Sequence, residues 1–253
     1  MFSVVKWEIK KSFKSGVFVL WALGLFLGYI AVYTSTGASD AYADVFSKYY
    51  GIAPIMGLAM FSMFAGSFVL EYNSGMDSLI KASKNGKKQL VISKFIANGI
   101  SASIVNLSIY LVMIIKVASK YKAEGLNLPL KSLWYFGNSG SNITVLQMIL
   151  IVALTVIVGS FIFAALGLFL SSISKSAFVP FVFGGLIMGM PYILSGWVPN
   201  AKIFTNSPLW GMYSGQLIRY DASISAWIVF AVVATAGIGI LYNLTKNTFL
   251  KEK

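Results

Sequence analysis

Six long apolar runs dominate this 253-residue sequence and restrict what it can fold into. A helix of about 20 apolar residues crosses the hydrocarbon core of a bilayer, where the backbone must satisfy its own hydrogen bonds. Only 11% of the residues are charged, against roughly 25% in soluble proteins, so the charges for a water-facing surface are missing. The sequence therefore predicts a single all-α integral membrane domain over residues 1–253 with six transmembrane helices. We place these spans at residues 17–34, 51–70, 95–115, 145–170, 177–194 and 224–244.

The lysines predict the orientation of these helices. Cytoplasmic loops of membrane proteins are enriched in Lys and Arg. With six spans, 13 of the 20 basic residues fall on one side, in short segments, and the rest are spread over longer loops on the other side. We therefore expect a multi-pass protein of the plasma membrane with both termini in the cytoplasm. The net charge of +12 then reflects contact with anionic membrane lipid, and no binding to nucleic acid is expected.

Several kinds of chemistry are excluded by what the sequence lacks. It has no His and no Cys, which removes the commonest general base, the thiol nucleophile and thiolate metal ligands. None of the eight acidic residues lies in the middle of an apolar run, so a proton relay through the membrane is not expected. No G-x-x-x-x-G-K-[ST] phosphate loop occurs. We predict a chain that is not an enzyme and that binds no metal or cofactor itself.

Three segments outside the spans carry further predictions. Residues 1–15 alternate apolar side chains with lysines, which indicates an amphipathic entry helix on the inner membrane face, with an ordinary basic flank as the alternative. We expect the run that follows to be a retained span, because it is longer than the apolar core of a signal peptide. Residues 71–94 form the only sizeable cytoplasmic loop, suited either to docking a soluble partner or to a solvated connection. Residues 196–223 are predicted to form an outer re-entrant segment.

Aromatic and polar side chains add two expectations. Trp134, Tyr135 and Phe136, between the third and fourth spans, are predicted to lie at the membrane interface. In the third span, Asn98, Ser101 and Ser108 recur at helical spacing and form a polar stripe. Such a stripe faces protein or a cavity rather than lipid. Internal packing is one interpretation, and a substrate path is the other.

Small residues four positions apart permit close approach of membrane helices. Two such pairs lie inside predicted spans, Gly24 with Gly28 and Gly185 with Gly189. We expect both pairs to serve ordinary packing within the chain rather than a dimer interface.

The loop after the second span carries a recognisable arrangement. It reads Glu71-Tyr72-Asn73-Ser74-Gly75-Met76-Asp77-Ser78-Leu79-Ile80, followed by Gly86-Lys87-Lys88 and Ser93-Lys94-Phe95. This string resembles the ABC-2 type transporter permease family, which has a Glu-aromatic-x-x-Gly-Thr pattern after the second span, an intracellular coupling helix and a basic re-entry to the third span. Here Met76 stands in place of the usual threonine, and Lys87 stands near the common arginine. In architecture, the resemblance covers the whole chain.

The resemblance implies a type-2 ABC exporter fold and a permease subunit that pairs with itself or with a similar subunit. A separate ATPase subunit, which binds ATP and Mg²⁺, would dock to the coupling loop, and Glu71 is expected to pair with a nearby lysine, with the entry helix as one source. Amphipathic substrates are typical of the family, so we expect export of peptides or toxins, as in antimicrobial and phenol-soluble modulin exporters. The alternatives are a lipid, glycolipid, multidrug or bacteriocin-immunity permease and a non-transporting sensor subunit. The coupling residues would be Glu71, Tyr72, Gly75, Met76, Leu79, Ile80, Lys87 and Lys88.

Overall fold

The computed structural model describes residues 2–83, 86–197, 212–221 and 224–249, and these are predominantly helical. No strand occurs among them, so the prediction of an all-α fold is confirmed. The helices are α1 (Phe2–Ser12), α2 (Ser15–Ala31), α3 (Ala38–Gly51), α4 (Ala53–Phe64), α5 (Val69–Asn73), α6 (Asp77–Ala82), α7 (Gly86–Tyr121), α8 (Val145–Ile173), α9 (Phe178–Trp197), α10 (Ser214–Arg219) and α11 (Ile224–Thr248).

Several of these helices can cross a membrane. Four stretches are long and apolar enough. The first is formed by α4 and α5 together, and the other three are α7, α8 and α11. A fifth is obtained if α1 and α2 are counted as one span, although they are bent by 72° at the break between them. The chain is therefore a multi-pass helical membrane protein. The fifth predicted span corresponds to α9, whose apolar stretch Phe178–Met190 is shorter than the other candidates, so the count of six stays a prediction.

The long helix α7 organises the bundle and packs against α1, α2, α4, α8 and α11. One end of the bundle, which we call the α1 end, holds α1, α5, α6 and the first turns of α7. The opposite end, the α3 end, holds α3, the segment between α7 and α8, and α10. The outward faces of α2, α8 and α11 are rich in large apolar side chains, as lipid-facing surfaces require.

Local contacts set where two of the spans begin and end. The Lys116 ammonium donates to the backbone carbonyls of Tyr29 and Val32, both at 2.7 Å, and so satisfies orphan carbonyls at the end of α2. The Thr144 hydroxyl accepts from the backbone N–H of Gln147, and the Gln147 side chain accepts from that of Thr144, which forms a capping box where α8 begins.

The two glycine pairs behave differently. A Cβ added at Gly24 would lie 2.6 Å from the Ile109 side chain, and one added at Gly28 would lie 3.4 Å from the Ile109 carbonyl oxygen, so the first pair packs against α7 within the chain as predicted. Among the described residues, nothing lies within 4 Å of a Cβ added at Gly185, and a Cβ added at Gly189 meets its own helix neighbour Ile193. The described residues therefore give the second pair no close packing partner on another helix, and internal packing of this pair stays a prediction.

The α3 end includes a helix that the sequence prediction did not contain. Of the three aromatics, Tyr135 and Phe136 are buried against protein and Trp134 is exposed, and their depth at the membrane interface stays a prediction. Phe136 is covered by α3, whose Phe46 ring packs edge-on to it with 5.3 Å between ring centroids. Of the predicted re-entrant segment, residues 198–211, 222 and 223 lie outside the described residues. The described part contains α10, whose Arg219 guanidinium lies 4.5 Å from the Tyr135 ring centroid.

A candidate functional site at the α1 end

A buried ion-pair network joins three helices at the α1 end. The Lys94 ammonium on α7 lies 2.8 Å from Glu8 Oε2 on α1 and 2.9 Å from Glu71 Oε1 on α5. The Lys94 side chain is 2% exposed, and both carboxylates are almost as deeply buried. A charge taken out of water is stable only with close partners, so each side chain fixes the position of the others. The network therefore holds the entry helix against the end of the second span.

Lys11 completes the network from the solvent side. Its ammonium lies 3.2 Å from Glu8 Oε1 and 3.4 Å from Glu71 Oε1, and its side chain is 54% exposed. Two carboxylates thus share two ammonium groups. The structure contains the expected pair between Glu71 and a lysine of the entry helix, but Lys94 is the closer and better buried partner.

Hydrogen bonds extend the network along α7. The Asn98 amide donates to the Lys94 carbonyl at 2.9 Å and to the Ser67 hydroxyl at 3.3 Å. The Ser12 hydroxyl lies 3.0 Å from both Asn98 Oδ1 and the Glu8 carbonyl, so it donates to one or the other. Asn98 therefore ties α7 both to α1 and to the turn between α4 and α5.

The rest of the predicted polar stripe also faces protein. Ser108 accepts a hydrogen bond from Trp21 Nε1 at 2.7 Å, which joins α7 to α2. Ser101 is buried in the bundle. Neither of them, nor Asn98, lines the large apolar pocket described below. These contacts favour internal packing, and the substrate-path interpretation stays a prediction without support from this geometry.

The entry helix α1 buries one charged side chain, Glu8, and exposes its aromatic rings together with its lysines. Val5, Glu8 and Ser12 face the bundle, whereas Phe2 and Trp7 are exposed, Trp7 by 60%. On a soluble protein this arrangement would place large apolar rings in water. It is the arrangement expected of an interfacial helix whose outer side contacts lipid.

The predicted coupling residues come together at the same end but face two directions. Glu71 belongs to the ion-pair network, and the Tyr72 hydroxyl donates to the Ser172 carbonyl at 3.2 Å. Ile80 packs on a small apolar cluster that includes Phe68 and Phe249. These three side chains therefore hold the loop to the bundle.

The remaining predicted coupling residues lie on the outer side of the loop. Gly75 has a φ of +66°, a conformation that glycine adopts without strain, and it forms the turn between α5 and α6. Beyond it, Met76 and Leu79 are exposed, Leu79 by 65%. Lys87 is half-buried and Lys88 is exposed, both in the first turn of α7.

A large apolar pocket lies between α4 and α9, with a volume of about 450 Å³. Tyr50 and Tyr213 line it near the α3 end, and its described lining holds no charged side chain. The open glycine pair of α9 forms part of its wall, so an apolar group can approach the α9 backbone closely. The side chains that line its middle include Leu58, Phe61, Val182 and Leu186.

Sequence reasoning missed Glu8 and Lys94 as members of the site. The signal was available, since Glu8 is the one acid in a basic helix and Lys94 is the last charge before the apolar run of α7. Periodicity alone does not bring residues 8, 71 and 94 together, because their meeting depends on how α1 folds back against α7. Among the described residues, no group of His, Cys, Asp and Glu is arranged to hold a metal ion.

No protein-family model matches the chain, and no curated protein is significantly similar to it.

Proposed function

We propose that this chain is the permease subunit of an ATP-driven exporter and that it docks a separate ATPase subunit through α6. The observation that carries the proposal is the exposed apolar surface of Met76 and Leu79 at the end of a span. Neighbouring apolar side chains exposed together are a candidate interaction site, whereas single exposed ones are common on any surface. The proposal places the α1 end in the cytoplasm, in agreement with the basic residues gathered there.

The network around Lys94 supports this proposal by giving α6 a firm attachment. A force applied to a docked α6 reaches Glu71 through α5, and Glu71 is tied to both α1 and α7. Switching by rigid-body movement needs such a connection between the surface that binds the partner and the helices that rock. The cluster around Ile80 and Phe249 provides a second attachment, to α8 and the C-terminal end of α11. In this mechanism the partner subunit binds ATP and Mg²⁺, and this chain supplies the path of the substrate across the membrane.

The pocket between α4 and α9 supports an apolar or amphipathic substrate. Its described lining offers apolar surface and two tyrosines, which suits the apolar side of an amphipathic peptide or an acyl chain. The same apolar lining also suits the acyl chains of a lipid, which makes a lipid the second candidate substrate. The proposal includes dimerisation with an identical or similar subunit, so that two such pockets act together.

Replacing Leu79 with serine should weaken ATPase binding about tenfold, because one leucine buried at an interface contributes about 1.5 kcal/mol. The partner to use is a phosphate-loop ATPase encoded by a neighbouring reading frame, and the measurement is its affinity for the purified chain in nanodiscs. Leu154, 64% exposed on the lipid-facing side of α8, is the matched control. Equal affinity for wild type and Leu79→Ser would remove α6 as the docking element. Ile80 is unsuitable for this test, since it packs inside the chain.

A further inference from the structure

The second span is interrupted where α4 ends and α5 begins. In a regular α-helix each backbone N–H donates to the carbonyl four residues earlier. Here the Phe64 carbonyl accepts from the Ser67 N–H, three residues later, at 3.0 Å. The Phe68 N–H donates instead to a side chain of α8, the Ser171 hydroxyl, at 3.1 Å. A three-residue hydrogen bond of this kind in the middle of a helix often marks a hinge.

The Ser171 hydroxyl serves as a partner for two backbone groups at this break. It donates to the Ala65 carbonyl at 3.0 Å and accepts from the Phe68 N–H. Ser171 has no exposed surface, so water cannot take over either bond. A side chain that enters the backbone hydrogen-bond ladder is a known cause of a break in a helix. Ser171 therefore stabilises the interrupted form of the span.

Two neighbouring helices approach the break closely. On α8, Gly167 lies one turn before Ser171 and on the same face. A Cβ added at Gly167 would lie 2.5 Å from the Phe64 Cβ, so glycine allows α8 to reach the end of α4. From α7, the Asn98 amide donates to the Ser67 hydroxyl at 3.3 Å. Side chains of α7 and α8 thus contact the interrupted segment, residues 65–68, directly.

The two parts of the span have different attachments. The helix α4 packs against α2 and α9 and lines the apolar pocket. The helix α5 carries Glu71, whose carboxylate lies 2.9 Å from the Lys94 ammonium, and Tyr72, which donates to the Ser172 carbonyl. Because the break separates these two sets of contacts, a change of backbone conformation at residues 65–68 moves Glu71 relative to the pocket.

We propose that residues 65–68 form a hinge in the second span and that the Ser171 hydroxyl is the latch that holds it in the observed position. When Ser171 releases the Phe68 N–H and the Ala65 carbonyl, both groups can bond within the span as in a continuous helix. The exchange keeps these two backbone groups hydrogen-bonded in either position, so neither position leaves them buried without a partner. This inference concerns the second span alone and stands whether or not the chain docks an ATPase.

The test measures distances between pairs of spin labels, for which the chain is suited because it contains no cysteine. One pair uses Leu70→Cys on α5 with Leu154→Cys on α8, and the control pair uses Leu58→Cys on α4 with Leu154→Cys. All three leucines are exposed and can carry a label. In the full chain in nanodiscs, Ser171→Ala should shift the Leu70–Leu154 distance by about 2 Å, the size of helix movements in switching proteins. The Leu58–Leu154 distance should stay the same.

Two further serine variants make this result specific. Ser171→Thr keeps a hydroxyl at the break and should keep the wild-type distances. Ser103→Ala removes a buried hydroxyl that donates within α7, to the Gly99 carbonyl at 2.7 Å, and it should leave both distances unchanged. An unchanged Leu70–Leu154 distance in Ser171→Ala would overturn the hinge. Equal shifts of both label pairs would overturn it as well, because the whole bundle would then have loosened.

Discussion

Replacing Lys94 with methionine should destabilise the protein by about 3–5 kcal/mol, the cost of removing one partner from a buried ion pair. Methionine fills a similar volume but leaves the carboxylates of Glu8 and Glu71 facing each other without the ammonium that lies 2.8 and 2.9 Å from them. Lys11 remains in contact, but it is half in solvent and neutralises them less well. The measurement is the unfolding free energy from SDS titration in mixed micelles.

Two further variants make this result specific. Lys11→Met removes a lysine that contacts the same two carboxylates from the exposed side, and it should cost no more than about 1 kcal/mol. Combining Lys94→Met with Glu8→Gln and Glu71→Gln removes all three buried charges, and it should restore much of the lost stability. Equal effects of Lys94→Met and Lys11→Met would contradict the buried network as the structural centre of this end.

Replacing Gly184 with alanine should also destabilise the bundle, by about 1–3 kcal/mol as for other overpacked cores. A Cβ at this position would overlap the ring of Phe61 on α4. That ring is buried and packs edge-on against Phe64 and Phe163, so it can move only toward the pocket that it lines. We therefore expect α9 to shift away from α4, with a lower melting temperature in nanodiscs as the readout.

The adjacent Gly185 provides the control for this prediction. It lies in the same helix but lines the pocket, and none of the described atoms lies within 4 Å of a Cβ added there. Gly185→Ala should leave the stability unchanged or slightly higher, because alanine favours the helix by up to about 1 kcal/mol. If both alanine variants melted like the wild type, the close packing of α4 on α9 would be wrong.

The spans were the part of the fold most accessible from sequence. Long apolar runs with few charges predict membrane helices whatever their neighbours are, and α7, α8 and α11 contain the runs chosen for them. The helix α3 was not predicted, although Ala41, Val45 and Tyr49 recur at helical spacing and are buried. Its Phe46 ring covers Phe136, a contact that the sequence prediction did not include.

The site was predictable only in part, for a related reason. The family resemblance drew attention to Glu71 and the exposed face of α6, which are features of one continuous segment. The partner Lys94 and the second carboxylate of Glu8 lie 23 and 63 residues away in the chain from Glu71, with no periodic pattern that connects them. Long-range ion pairs of this kind are set by packing, so a sequence identifies the charged residues but not their pairing.

The most direct test of the proposed function is ATP hydrolysis by this chain reconstituted in nanodiscs with its neighbouring ATPase, with and without amphipathic cationic peptides. We expect a stable complex whose rate of ATP hydrolysis rises when substrate is added. The Glu71→Ala variant should abolish this rise while the complex still forms. A complex that responds to lipids but to no peptide would select the second substrate candidate. Failure of the two proteins to form a complex, or full stimulation in the Glu71→Ala variant, would contradict the coupling role assigned to the α1 end.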